Sequence, residues 1–165
     1  MISLEQWTPP PSGWIKLNTD AALPHNGCAG LGWVARDSNG IIVGMGMKRL
    51  CAPRSLDLGE AEAMGFALLC APEARWRYVI CESDALSLIS RLHSGSQGRA
   101  PSDLVLDNIR NLVSSFSSLL PSHVNRVGNT VAHFVASLPP NWGAVQVCKS
   151  NFPPSVCTLA SLDMQ

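Results

Sequence analysis

The sequence predicts one α/β domain built on a mixed sheet. The first fifty residues hold stretches that alternate apolar and polar side chains around an Asn39-Gly40 turn signal, and from residue 59 helical and strand-like stretches take turns. Three antiparallel strands followed by alternating helices and strands give a sheet with helices on its faces. A chain of 165 residues fits one core, and 46% hydrophobic against 15% charged residues argues for an apolar interior rather than disorder.

Residues 1–13 carry Pro9-Pro10-Pro11 and Gly13 and read as an extended, Pro-rich leader. The domain is expected over 14–140, beginning at Trp14. Ile15, Leu17 and Thr19 alternate with Lys16, Asn18 and Asp20, the period of a strand with one buried face, so Asp20 points away from Ile15 and Leu17. Residues 30–36 and 41–47 form the next two strands, and the glycines within them signal a bulge or a close backbone approach. Residues 59–71 are rich in helix formers and stop at Pro72. Residues 78–81 fit a short buried strand, and 85–92 a second helix. From Leu104 to about Phe116, Val105, Ile109, Leu112 and Val113 recur at helical spacing. Residues 119–124 read as a strand that Pro121 pushes to the sheet edge, and 130–138 as a helix stopped by Pro139-Pro140. Residues 141–165 show no sustained period and read as a C-terminal tail.

Twelve basic and twelve acidic residues cancel, which excludes the global positive field that drives strong non-specific nucleic-acid binding. The six cysteines are scattered without a CxxC pair, which disfavours a zinc knuckle or a disulfide framework and points to reduced thiols. No signal-peptide pattern and no stretch near the ~20 apolar residues of a membrane span occurs, so a soluble, intracellular protein of nucleus or cytoplasm is expected. Neither a GxSxG elbow nor the GK[ST] ending of a P-loop is present.

The chemistry lies in the acids. Asp20 and Asp84 each close a strand-like stretch and Glu62 opens a helical one, so three separated carboxylates can meet at one rim of a sheet, an arrangement suited to Mg²⁺. Each acid has a plainer reading. An Asp at a strand end is often a turn former or a helix cap, and Glu82 has the same strand parity as Asp84. At about 100° per residue Glu62 shares a helix face with Phe66 and Leu69, while Glu60 lies opposite with Met64 and Ala67. That helix is apolar nearly all round, so its period favours Glu62 only mildly, and both acids suit a first turn through the helix dipole.

Five motifs in order resemble the ribonuclease H family, specifically the plant type that is similar to the ribonuclease H domain of non-LTR retrotransposons. Trp7-Thr-Pro-Pro-Pro-Ser-Gly-Trp-Ile-Lys-Leu-Asn-Thr-Asp20 resembles the family's opening, and Gly30-Leu-Gly-Trp-Val-Ala-Arg-Asp37-Ser-Asn-Gly40 its second strand and turn. Glu60-Ala-Glu62-Ala resembles the first helix, Glu82-Ser-Asp84-Ala the end of the fourth strand, and His123 to Ala136 the closing strand, loop and helix. The likeness spans about residues 7–140.

The resemblance implies a mixed five-stranded sheet, three antiparallel strands then two parallel, flanked by helices. It picks Glu62 over Glu60 and Asp84 over Glu82, and implies metal ligation by Asp20, Glu62 and Asp84 with Mg²⁺, or Mn²⁺, as cofactor. The implied activity is hydrolysis of the RNA strand of RNA–DNA hybrids by the two-metal route. Asn18, Arg126 and Asn129 are the implied contacts to sugar and phosphate. Two positions depart from the family pattern. His133 stands where the family carries an Asp, which removes a charge and offers a softer partner for Mg²⁺, and Ala21 replaces the common Gly. Weakened hydrolysis is therefore expected, and the alternative is a catalytically silent module that binds nucleic acid or a protein partner.

Overall fold

The computed structural model describes residues 6–23, 28–52, 54–95, 98–140 and 144–165. Three strands, β1 (Ile15–Ala22), β2 (Ala29–Arg36) and β3 (Ile42–Leu50), form an antiparallel meander. Helix α1 (Leu56–Cys70) then crosses to β4 (Tyr78–Ser83), which pairs parallel to β1. Helices α2 (Leu86–Ser94) and α3 (Pro101–Leu112) lead to β5 (Ser118–His123), parallel to β4, and α4 (Thr130–Ser137) follows. Last come β6 (Val145–Cys148) and α5 (Pro154–Leu162). The sheet order is β5-β4-β1-β2-β3-β6.

The α/β class and the mixed sheet agree with the sequence reading, with one strand more than expected. Strand β6 pairs antiparallel with β3 at the far edge, from Met45–Cys148 to Lys48–Val145. Residues 144–165 are thus part of the packed domain rather than a bare tail. Val156 and Ala160 of α5 are buried with Val34, Met45, Val131 and Val135. Four strand residues and nine helical ones are too few to display a period. The leader is also anchored, because Trp7 is buried, its indole N–H donates to Asn18 Oδ1 at 3.0 Å, and its ring stacks on the Arg36 guanidinium. On its other side Arg36 pairs with Asp163 Oδ2 at 2.7 Å, so one buried cation holds both ends of the chain.

Two cores sandwich the sheet. Leu17, Trp33, Val79 and Cys81 face Met64, Ala67 and Leu68 of α1, Leu88 of α2 and Leu106 and Ile109 of α3. The other face carries α4 and α5. Helix α4 lies almost on the strand backbone, since a Cβ on Gly32 would sit 2.3 Å from the Ala136 nitrogen, and one on Gly30 would overlap the Ala136 carbonyl oxygen. Close approach is therefore the reason for these two glycines. At the β2–β3 turn, Asp37 Oδ1 accepts from the Asn39 and Ile41 amides, and Gly40 supplies the positive φ of 76°.

Candidate metal centre

Parallel pairing of β1 and β4 ends at Thr19–Ser83, so the residues that follow, Asp20 and Asp84, emerge side by side at one rim. Helix α1 starts at the same rim, its first turn fixed by Ser55 Oγ accepting from the Leu58 amide. Glu60, in the second turn of α1, reaches to the two aspartates. One carboxylate oxygen from each of Asp20, Glu60 and Asp84 lies within 4.8 Å of the others.

This assembly corrects the expectation for Glu62. Its carboxylate pairs with Arg54 Nε at 2.7 Å, and it lines a cleft with Phe66, Leu69 and Ile109. The physical reason is which side of α1 faces the sheet. Glu60, Met64, Ala67 and Leu68 recur at i, i+4, i+7 and i+8 and are all buried, while Leu69 is exposed. Opposite Glu62, then, was the inner face. Glu82 is committed elsewhere as well, to Lys16 Nζ at 3.2 Å and Asn18 Nδ2 at 3.0 Å.

Concentrating acids without counter-charge has an electrostatic cost. The Glu60 carboxyl is pushed up to about 9, first by burial, then by the charge of Asp20, a hydrogen bond with it and the charge of Asp84; the Ala21 amide opposes this. Asp84 is raised by burial and by Asp20, against the opposing pull of Arg126 and His133. Without cations Glu60 therefore keeps its proton at neutral pH. Glu60 Oε2 is buried and has no hydrogen-bond partner. An orphaned buried oxygen within a cluster of hard oxygen donors fits a divalent cation of the Mg²⁺ or Mn²⁺ kind.

On the opposite face of the sheet, the close seat of α4 brings His133 over Asp20, with His133 Nδ1 and Asp20 Oδ2 2.7 Å apart. The His133 side chain is 62% exposed, while that of Asp20 is buried. Arg126 is also exposed, near enough to act on Asp84. Asn18 and Asn129, the other two residues expected to contact nucleic acid, are placed differently from Arg126. Both are buried, Asn18 Nδ2 donating to Glu82 and to Asn129 Oδ1, and Asn129 Nδ2 donating to the Thr19 carbonyl at 2.9 Å. They brace β1 against β4 and the loop before α4. Because both sheet faces are covered, strand parity here separates two interiors rather than inside from outside.

Solved structures share this architecture. RNase H1 from the halophilic archaeon Halobacterium salinarum NRC-1 superposes with a TM-score of 0.68 at 22% identity, covering 74% of this chain and 93% of that one. The N-terminal RNase H domain of rv2228c from Mycobacterium tuberculosis gives 0.67 at 17% identity, with 74% and 89% covered. LC11-RNase H1, solved in complex with an RNA/DNA hybrid, gives 0.65 at 19% identity, with 73% and 92% covered. The comparison with curated proteins gives no significant match. Fold and rim together define an RNase H-like domain with an acidic cluster. A family model described as "Reverse transcriptase-like" matches residues 18–138, and the chain belongs to that family.

Proposed function

We propose that this domain is a divalent-metal-dependent endonuclease that hydrolyses the RNA strand of RNA–DNA hybrids, with Asp20, Glu60 and Asp84 as the ligands of Mg²⁺ or Mn²⁺. The observation that carries the reading is the convergence of those three carboxylates, one of them with a buried, unpartnered oxygen. The ordered motifs support a plant-type, retrotransposon-like member. Ions bound there supply an activated water and charge stabilisation for phosphodiester cleavage.

The chain's own residues divide the remaining work. Asp20 stands at the centre, flanked by Glu60 and Asp84 and held from behind by His133. Glu60 gives up its proton when the cluster is loaded, so loading releases a proton. Arg126, exposed beside Asp84, supplies a cation for a backbone phosphate. His133, largely exposed, stands beside Asp20 at the edge of the site.

The test is a labelled hybrid incubated with purified protein and Mg²⁺ or Mn²⁺. RNA-strand fragments that vanish with Asp20→Asn support the reading. Cleavage that persists in that variant, or no cleavage with either metal, contradicts it. One observation favours a second reading, a silent binding module: His133 already occupies Asp20 Oδ2 where the family pattern carries a further acid. Hybrid binding without cleavage would mark that case.

A further inference from the structure

Cys28 stands one residue before β2 and Cys51 one residue after β3. The antiparallel register of these strands ends at Ala29–Leu50, so the two cysteines oppose each other one step beyond it. The Cys28 thiol donates to the Cys51 sulfur, with 3.2 Å between the sulfurs. Directly opposed antiparallel residues have Cα atoms about 4.5–5.5 Å apart, inside the roughly 4.4–6.8 Å that a disulfide spans. Cys51 is exposed and Cys28 half-buried, so a small oxidant reaches the pair. Cys81, by contrast, is sealed in the core.

The pair lies on the rim that carries the acids. Gly30, two residues along from Cys28, pairs with Ala22 of β1 on one side and Arg49 of β3 on the other, and Ala22 is two residues past Asp20. Cys51 leads through Arg54 and the cap Ser55 into α1, whose second turn holds Glu60. A bond between the sulfurs would fix the start of that segment to β2.

We propose that Cys28 and Cys51 form a reversible redox pair, a disulfide modification site that tethers the segment leading into α1. This holds whether or not the acidic cluster hydrolyses a hybrid. The oxidant is a peroxide. The Cys51 thiolate attacks one peroxide oxygen, the O–O bond breaks, hydroxide leaves, and Cys51 becomes a sulfenic acid. The Cys28 sulfur then attacks the Cys51 sulfur, an S–S bond forms, the S–O bond breaks, and water leaves with the Cys28 proton. Two thiols lose two electrons to one peroxide, giving one disulfide and two waters. Cys51 is the more exposed of the two and so meets the oxidant first, while the Cys28 thiol is pushed up chiefly by its hydrogen bond to Cys51.

The experiment treats the full chain with hydrogen peroxide and maps peptides without reduction. A Cys28–Cys51 crosslink lacking two hydrogens is expected, reversed by dithiothreitol and lost in either Cys28→Ser or Cys51→Ser. Amide exchange over residues 54–58 should slow in the oxidised protein, and its melting temperature should rise. Accumulation of Cys51 sulfinic acid beside an unreacted Cys28 thiol would overturn the proposal. So would crosslinks spread evenly over other cysteine pairs, or exchange over 54–58 that oxidation leaves unchanged.

Discussion

Glu60→Gln should change how the metal-free protein responds to pH. In the folded chain Glu60 stays protonated up to about 9, whereas in the unfolded chain it ionises near its ordinary value of 4.5. A folded-state value raised above the unfolded one contributes stability that is fully present below the unfolded value and is lost as pH rises through the folded one. Between those limits the folded protein holds one more proton, so stability falls by about 1.4 kcal/mol per pH unit, or about 2.7 kcal/mol from about pH 6 to about pH 8. Asp84 is raised in the same direction, so the quantity to read is the difference between wild type and variant. Gln carries a neutral group of the same shape and removes the proton linkage. Urea denaturation with EDTA across that range should show the wild type losing stability relative to Glu60→Gln, with the gap closing when saturating Mg²⁺ is added. Parallel pH profiles for the two proteins would refute the reasoning, because they would mean that Glu60 ionises freely beside Asp20.

Glu62→Gln removes only the ion pair with Arg54, and cation affinity measured by calorimetry should change by less than about twofold, as expected for a partly exposed pair. A large loss there would return Glu62 to the ligand set. Gly32→Ala places a methyl group against the Ala136 backbone and should destabilise the fold by about 2–3 kcal/mol in urea titrations, displacing α4 and His133 from Asp20. Unchanged stability would mean that α4 is not seated as described. His133→Asp should raise hybrid cleavage by about tenfold by returning a carboxylate beside Asp20. A flat or lower rate would show that the imidazole is not the weak point.

Much of this architecture was readable because it rests on strong local signals. The Asn39-Gly40 turn, the stop at Pro72 and the edge strand containing Pro121 all fall where residue chemistry put them. The site was harder. Helix α1 is apolar nearly all round, so its period marks no single buried face, and the bulk of half-buried Phe66 and exposed Leu69 lies on the Glu62 side. What the tight sheet contact requires is the smaller Ala67 and the flexible Met64, which share their face with Glu60. The surroundings of Asn18 were not legible for a related reason: its amide is held between Trp7, Glu82 and Asn129, partners distant in sequence. Strand β6 and helix α5 were invisible because each takes its place from contacts with β3 and α4, distant in sequence.

Anomalous diffraction from a crystal soaked in Mn²⁺ tests the central claim most directly. Density bounded by the carboxylates of Asp20, Glu60 and Asp84, absent in Asp20→Asn, is the result the geometry demands. No density at that rim, or density at Glu62 and Arg54 instead, would contradict the assignment of these three acids as the metal centre.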